Sequence, residues 1–472
     1  MEFTSKNFLW FCVGCILILG AARFVYSMSM SGKPLFASSY AEYVDLIQED
    51  ENRHRKWGPV FIVLINAAKK LAPDGNQRGI EHYCGSVAKI LEGCNSYTAL
   101  VWKAGLLIAY GFIIYFLLKL ISEFKSLLTG NTESNNYFWN CFLVFVALQA
   151  SPVILTVLVG GGELLTAFFI IGHFYYFVKK KYLVSAILIV FGVFFKLHPV
   201  VFAFPYFIFA VFSGNHRKYL FYLLTVSSIV GFVSYFIQGL LYGSFYPFSM
   251  ILSIVSSTAD ETVAVIPFYS SEIINVPPLL DKIFNGFQFN TRAEVGDDGL
   301  PLSLKVITYS FTLLFVLGNG FVGYRLSKLE AKWENNNQLR ILHLFIFQVI
   351  VGFIYLTCSL DVGMEHLNLA LISIYFPIFL FAVTINDIDK INSFQVRYLL
   401  LYLIGLSLSG CLLPTSIVIR FLPIEWFNIL SGNHISDYEG YIWYQIPLLG
   451  LIIIGFVSYH YSRYLLNRMK PV

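Results

Sequence analysis

The chain is patterned as long apolar runs separated by polar segments. Runs of roughly 18 or more apolar residues are long enough to cross a bilayer as helices. They begin near Phe8, Ala99, Tyr137, Leu164, Tyr182, Pro199, Tyr219, Leu304, Ile341, Leu367, Tyr398 and Tyr441, which predicts about twelve transmembrane helices. The pieces around Ser151-Pro152 and Lys196-Leu197-His198-Pro199 are short and interrupted by proline, which kinks or ends a helix. The first run, Phe8 to Met28, holds one strong charge, Arg23, and lacks a small-residue cleavage site; it reads as a retained signal-anchor. The short alternating segments of an outer-membrane barrel are not the pattern here. The expectation is an all-α polytopic membrane protein, with residues 1–472 forming a single integral membrane domain.

Lysine and arginine in short loops mark the cytoplasmic side. With both termini inside, Lys179-Lys180-Lys181, Arg217-Lys218, the stretch from Arg325 to Arg340, Lys390 to Arg397, and the tail with Arg463, Arg468 and Lys470 all fall on one side. The outer side then carries three large loops, 29–97, 241–303 and 414–440, and a short turn from Leu360 to His366. The first loop holds Arg53, Arg55, Lys56, Lys69 and Lys70, but long loops translocate largely regardless of charge. The second is acidic.

Composition narrows the function classes. Only 13% of residues are charged while 57% are hydrophobic and 18% aromatic; soluble domains carry about twice that charged share. The 32 Lys+Arg are nearly cancelled by 28 Asp+Glu, so no basic face is left for nucleic acid. No Walker motif or dinucleotide fingerprint occurs, and two similar halves are not visible, which weakens a repeat-built transporter. Cys12, Cys15, Cys141, Cys358 and Cys411 fall in spans, where they pack as small hydrophobes. Cys84 and Cys94 share the first outer loop, and an oxidising compartment would permit a bridge. No Cys or His pairs stand at zinc-ligand spacing in one loop.

Candidate chemistry clusters at the predicted outer ends of spans. In the first outer loop, Tyr40, Tyr43, Val44 and Ile47 follow helical spacing behind Ser38-Ser39, which predicts an interfacial helix. Glu42 and Asp45 share one of its faces, and a carboxylate there suits general-base work on an acceptor hydroxyl; the plainer role is a solvated face. Trp57-Gly58-Pro59 opens a second amphipathic stretch. Lys196 and His198 stand at the outer end of a very apolar span, where an ionisable residue is costly and suggests function. They suit a lipid-linked phosphate, although Lys196 would also reach headgroups by snorkelling. Asp361, Glu365 and His366 crowd a tight outer turn, and His366 suits phosphate binding or proton transfer as well as simple helix capping. Glu163 follows Gly160-Gly161-Gly162, whose glycines permit a ligand's close approach or serve only the turn.

Together these elements resemble the GT-C superfamily of membrane glycosyltransferases, and within it the bacterial polyprenyl-phosphate-mannose-dependent mannosyltransferases. Lys56-Trp57-Gly58-Pro59 is similar to a Tyr-Pro-Pro-like turn, and Ser151-Pro152 with Gly162-Glu163 to a Pro-rich element followed by a Gly-Gln-x-Asn-like turn. Lys196-Leu197-His198-Pro199 is similar to a Lys-x-x-Pro-like element, and His366 with Pro377 to a late outer-turn histidine opening a span. The family's acid position falls at Ser39 or Tyr40 here. The resemblance therefore implies that Asp45 or Glu42 acts from a shifted position, or that another carboxylate is the base.

It further implies an inverting transfer in which Lys196, His198 and His366 hold the donor phosphate, while Glu163, Tyr43, Trp57 and Glu365 line the substrate site. The donor would be a lipid-linked sugar, a polyprenyl phosphate in the outer leaflet, and the acceptor a glycan or glycolipid hydroxyl. Cationic side chains would stabilise the leaving phosphate without a required cofactor or metal, with a divalent ion in the acidic loop as the alternative. The implied home is a bacterial inner membrane with the site facing outward. Two rivals remain open: an O-antigen-type polymerase or ligase, whose outer loops favour arginine, and a secondary transporter or lipid flippase.

Overall fold

The computed structural model describes residues 97–129, 137–150, 162–196, 198–242, 302–333, 336–358, 364–385, 391–412 and 445–468, together with positions 60, 64, 152, 153 and 156. The described residues are helical, with no β-strand among them. In chain order they form α1 (Tyr97–Thr129), α2 (Tyr137–Gln149), α3 (Glu163–Val178), α4 (Tyr182–Phe195), α5 (Pro199–Phe212), α6 (Arg217–Tyr242) and α7 (Leu302–Leu329). Then come the 3₁₀ turn η1 (Glu330–Trp333), α8 (Asn337–Cys358), the 3₁₀ segment η2 (Met364–Ala370), α9 (Leu371–Thr384), α10 (Ser393–Leu408) and α11 (Gln445–Arg468). Among the described residues, four helical stretches are long and apolar enough to cross a membrane: Ala104–Ser126, Asn337–Cys358, His366–Thr384 and Leu448–Asn467. The predicted first span and nearly all of the three large outer loops, with Glu42, Tyr43, Asp45, Trp57, Cys84 and Cys94, lie outside the described residues.

Short turns force neighbouring helices to run antiparallel. The α3–α4 turn closes on Lys180 at φ 58, with its N–H bonded to Phe177 O and that of Lys181 to Tyr176 O. This is a Schellman cap formed by lysine where glycine is usual. Pro199 opens α5 within its first turn, where its missing N–H costs nothing. At 14 residues each, α4 and α5 run about 21 Å. That is less than the roughly 30 Å of a bilayer's hydrocarbon.

Packing is driven by close backbone approach and aromatic interlock. α3 packs on α4 and α1, α5 on α7, α8 on α9, and α10 on α11. At the last crossing, a Cβ on Gly450 would collide with the backbone of Gly405 and Ser409, the close approach that small residues permit between helices in lipid. Phe345 of α8 lies 4.6 Å from Phe124 of α1 and 4.9 Å from Phe174 of α3 between ring centroids. Outward-facing side chains remain apolar, with Phe232 70% and Phe221 66% exposed on α6. Such a surface suits a lipid environment.

Candidate functional site

Two ends of the bundle gather polar groups. The first is built where α4 turns into α5, α3 begins, and α8 hands over to η2. Glu163 is the first residue of α3, where a carboxylate also complements the helix dipole. Lys196 caps α4 in extended conformation, and its ammonium donates to the Glu163 carboxylate. Both side chains are nearly sealed, 10% exposed for Lys196 and 6% for Glu163.

His198 extends this pair across to α8 and η2. Its Nδ1 lies 2.8 Å from the Tyr355 hydroxyl. When Tyr355 donates that bond, the ring proton of neutral His198 sits on Nε2. The ring stacks on His366 at 4.7 Å and 15°, and His366 is itself buried and close enough to Glu163 to act on it electrostatically. Two protonated imidazoles in this stack repel each other, and a neighbouring anion offsets that repulsion. η2 is pinned beside them by Asn368, whose amide donates to Pro152 O at 3.0 Å and to Thr156 Oγ1 at 2.8 Å.

The structure thus brings together Lys196, His198, His366 and Glu163, which the sequence singled out in three separate segments. Glu365 belongs to η2, but its side chain is outside the described residues, as are Asp45, Glu42, Tyr43 and Trp57. Tyr355, Asn368 and Thr156 were missed. A tyrosine inside an apolar run carries no signal in a chain with 30 tyrosines, and Asn368 was passed over as the start of a span. Among the described residues no group of three His, Cys, Asp or Glu side chains is placed to hold a metal ion.

The second polar end is also buried. Ser213 Oγ donates to Glu330 Oε2 at 2.7 Å, and His216 Nδ1 lies 2.8 Å from Glu330 Oε1. The backbone N–H of His216 donates to Ser213 Oγ at 3.1 Å. Phe177 stacks on His216 at 5.8 Å and Phe209 approaches to 4.7 Å, while Trp333 donates to His343 Nδ1 at 2.9 Å. Burial holds His216 below the ordinary imidazole range, with the adjacent Glu330 carboxylate opposing that effect. Around this core stand Lys179 paired with Glu123, and Arg340 donating to Asn337 Oδ1 at 2.9 Å and to Val178 O at 3.4 Å.

Comparison with protein-family models, curated proteins and solved structures finds no match to this chain.

Proposed function

We propose that the protein is a membrane glycosyltransferase that moves a sugar from a polyprenyl phosphate to an acceptor hydroxyl, with Lys196, His198 and His366 receiving the donor phosphate. The observation that carries this reading is the convergence of those three side chains, from two distant segments, beside one buried carboxylate. Preorganised cationic donors aimed at developing phosphate charge are a large source of rate enhancement and need no metal.

The acceptor oxygen attacks the anomeric carbon and the carbon–oxygen bond to phosphate breaks. Polyprenyl phosphate leaves with the electron pair, and a carboxylate takes the acceptor's proton. A single displacement of this kind inverts the anomeric configuration. We assign the Lys196 end to the outer face, in a bacterial inner membrane, because Lys179 to Lys181, Arg217, Lys218, Arg325, Lys328 and Arg340 gather at the opposite end and cytoplasmic loops favour such residues.

The test is sugar transfer by the purified full chain in detergent from a panel of short-chain polyprenyl-phosphate sugars. Turnover with at least one donor, lost in His366→Ala with folding intact, is the expected result; binding of none contradicts the reading. A lipid or solute carrier is the second reading, favoured by His173, fully buried within α3 with Nδ1 2.7 Å from Ser185 Oγ. Transport without turnover in reconstituted vesicles would select it.

A further inference from the structure

We propose that Glu163 is the general base of the transfer, and that it is held inactive by Lys196 until the phosphate draws that lysine away. The inference rests on the glycosyl-transfer reading and names the carboxylate which that reading leaves open.

The Lys196 ammonium donates to Glu163, in a setting where both side chains are nearly sealed from water. A carboxylate neutralised by a buried ammonium is a poor proton acceptor, because its charge is already compensated. A donor sugar phosphate is a diester with one negative charge, and its leaving group is a monoester that gains a second as the sugar–oxygen bond breaks. Lys196 is placed to follow that charge, exchanging the Glu163 carboxylate for the phosphate oxygen.

Glu163 then loses its counter-ion at the moment the attacking hydroxyl becomes acidic. The acceptor proton passes to Glu163, the acceptor oxygen bonds to the anomeric carbon, and the electron pair of the broken bond stays on the phosphate, paired with Lys196. The groups facing the carboxylate are Lys196 from the end of α4 and His366 from η2. His198, braced by Tyr355 and stacked on His366, stays with the phosphate. Proton and charge therefore balance within residues already gathered at this end.

The exchange makes a prediction that a purely structural ion pair does not. Glu163 competes with the ligand for Lys196, and a ligand's apparent affinity falls with the fraction of sites competent to receive it. Removing the competitor should tighten binding of a short-chain polyprenyl phosphate lacking sugar, by about tenfold on that argument. The same Glu163→Gln variant should lower transfer by about 100-fold or more, the usual contribution of a general base. Glu163→Asp, which keeps a carboxylate, should recover part of the rate. The double variant Glu163→Gln/Lys196→Met, with no buried charge left unpaired, keeps the test readable if the single variant folds poorly: its affinity should fall below wild type, because Lys196 is the group that binds.

Tighter binding together with lost transfer in Glu163→Gln supports the exchange. Unchanged or weaker binding in that variant overturns it, as does wild-type turnover. Loss of transfer in Asp45→Asn or Glu42→Gln, with Glu163→Gln still active, moves the base to the first outer loop and leaves the transfer reading intact. A wild type inactive with every donor contradicts the transfer reading itself, and with it this role for Glu163.

Discussion

The two polar ends of the bundle use the same residue types for different ends. Each buries a glutamate beside a histidine: Glu163 near His366, and Glu330 against His216. At the Glu330 end the accounts are closed locally, with Ser213 on one carboxylate oxygen and His216 on the other, and aromatic rings packed around them. That arrangement ties the α5–α6 turn to η1 and describes a structural lock. At the Glu163 end the carboxylate accepts from Lys196 and feels His366, which stacks on His198. On the proposed reading, this lysine and these histidines are the groups that receive the donor phosphate. The difference lies in the group that meets the carboxylate, a lysine ammonium at one end and a serine hydroxyl with a histidine at the other.

Lys196→Met should separate the two ends most sharply. Transfer should fall by about 100- to 1,000-fold. Stability should also drop by about 3–5 kcal/mol, because Glu163 is left buried without its partner; turnover per folded molecule and detergent thermal unfolding read the two effects separately. Glu330→Gln should do the reverse. It weakens hydrogen bonds made by a buried charged group and should cost about 2 kcal/mol, while turnover per folded molecule stays at the wild-type level.

Tyr355→Phe removes only the hydroxyl beside His198 Nδ1. We expect about 1 kcal/mol of lost stability and donor binding weakened by a factor of about five, measured by titration. The smallest effect is one of pH. Because burial holds His216 below its ordinary value, the folded state resists its protonation. Stability from this end is present above the unfolded imidazole value of about 6.5 and is lost as pH falls through the lower folded value. The unfolding temperature should decline from pH 7 toward pH 5, and His216→Gln should flatten that decline.

Much of this architecture was legible in the sequence, for identifiable reasons. Apolar runs too long for strands gave helices at positions such as Tyr137, Tyr182 and Pro199, where α2, α4 and α5 begin. Lys196 and His198 stand out because ionisable residues at the end of an apolar run are costly unless compensated, His366 because it shares a tight turn with two acids, and Glu163 because it follows three glycines. Their meeting was not legible, since nothing in local pattern says that the α4–α5 corner packs against η2. Tyr355 was hidden for the opposite reason: its ring belongs in an apolar helix, and local pattern does not show that its hydroxyl meets His198. The Glu330 end is not legible from the lysine and arginine content of its loops, which bears on orientation alone. Ser213 and His216, three residues apart in one turn, carried a local signal that orientation reasoning does not use.

The most direct test of the central claim is a titration of short-chain polyprenyl phosphate into the purified wild type and its Lys196→Met, His366→Ala and Glu330→Gln variants. The account predicts saturable binding by the wild type and Glu330→Gln, weakened by about tenfold or more when Lys196 or His366 is removed. Equal affinity across all four proteins, or no binding by the wild type, would contradict it.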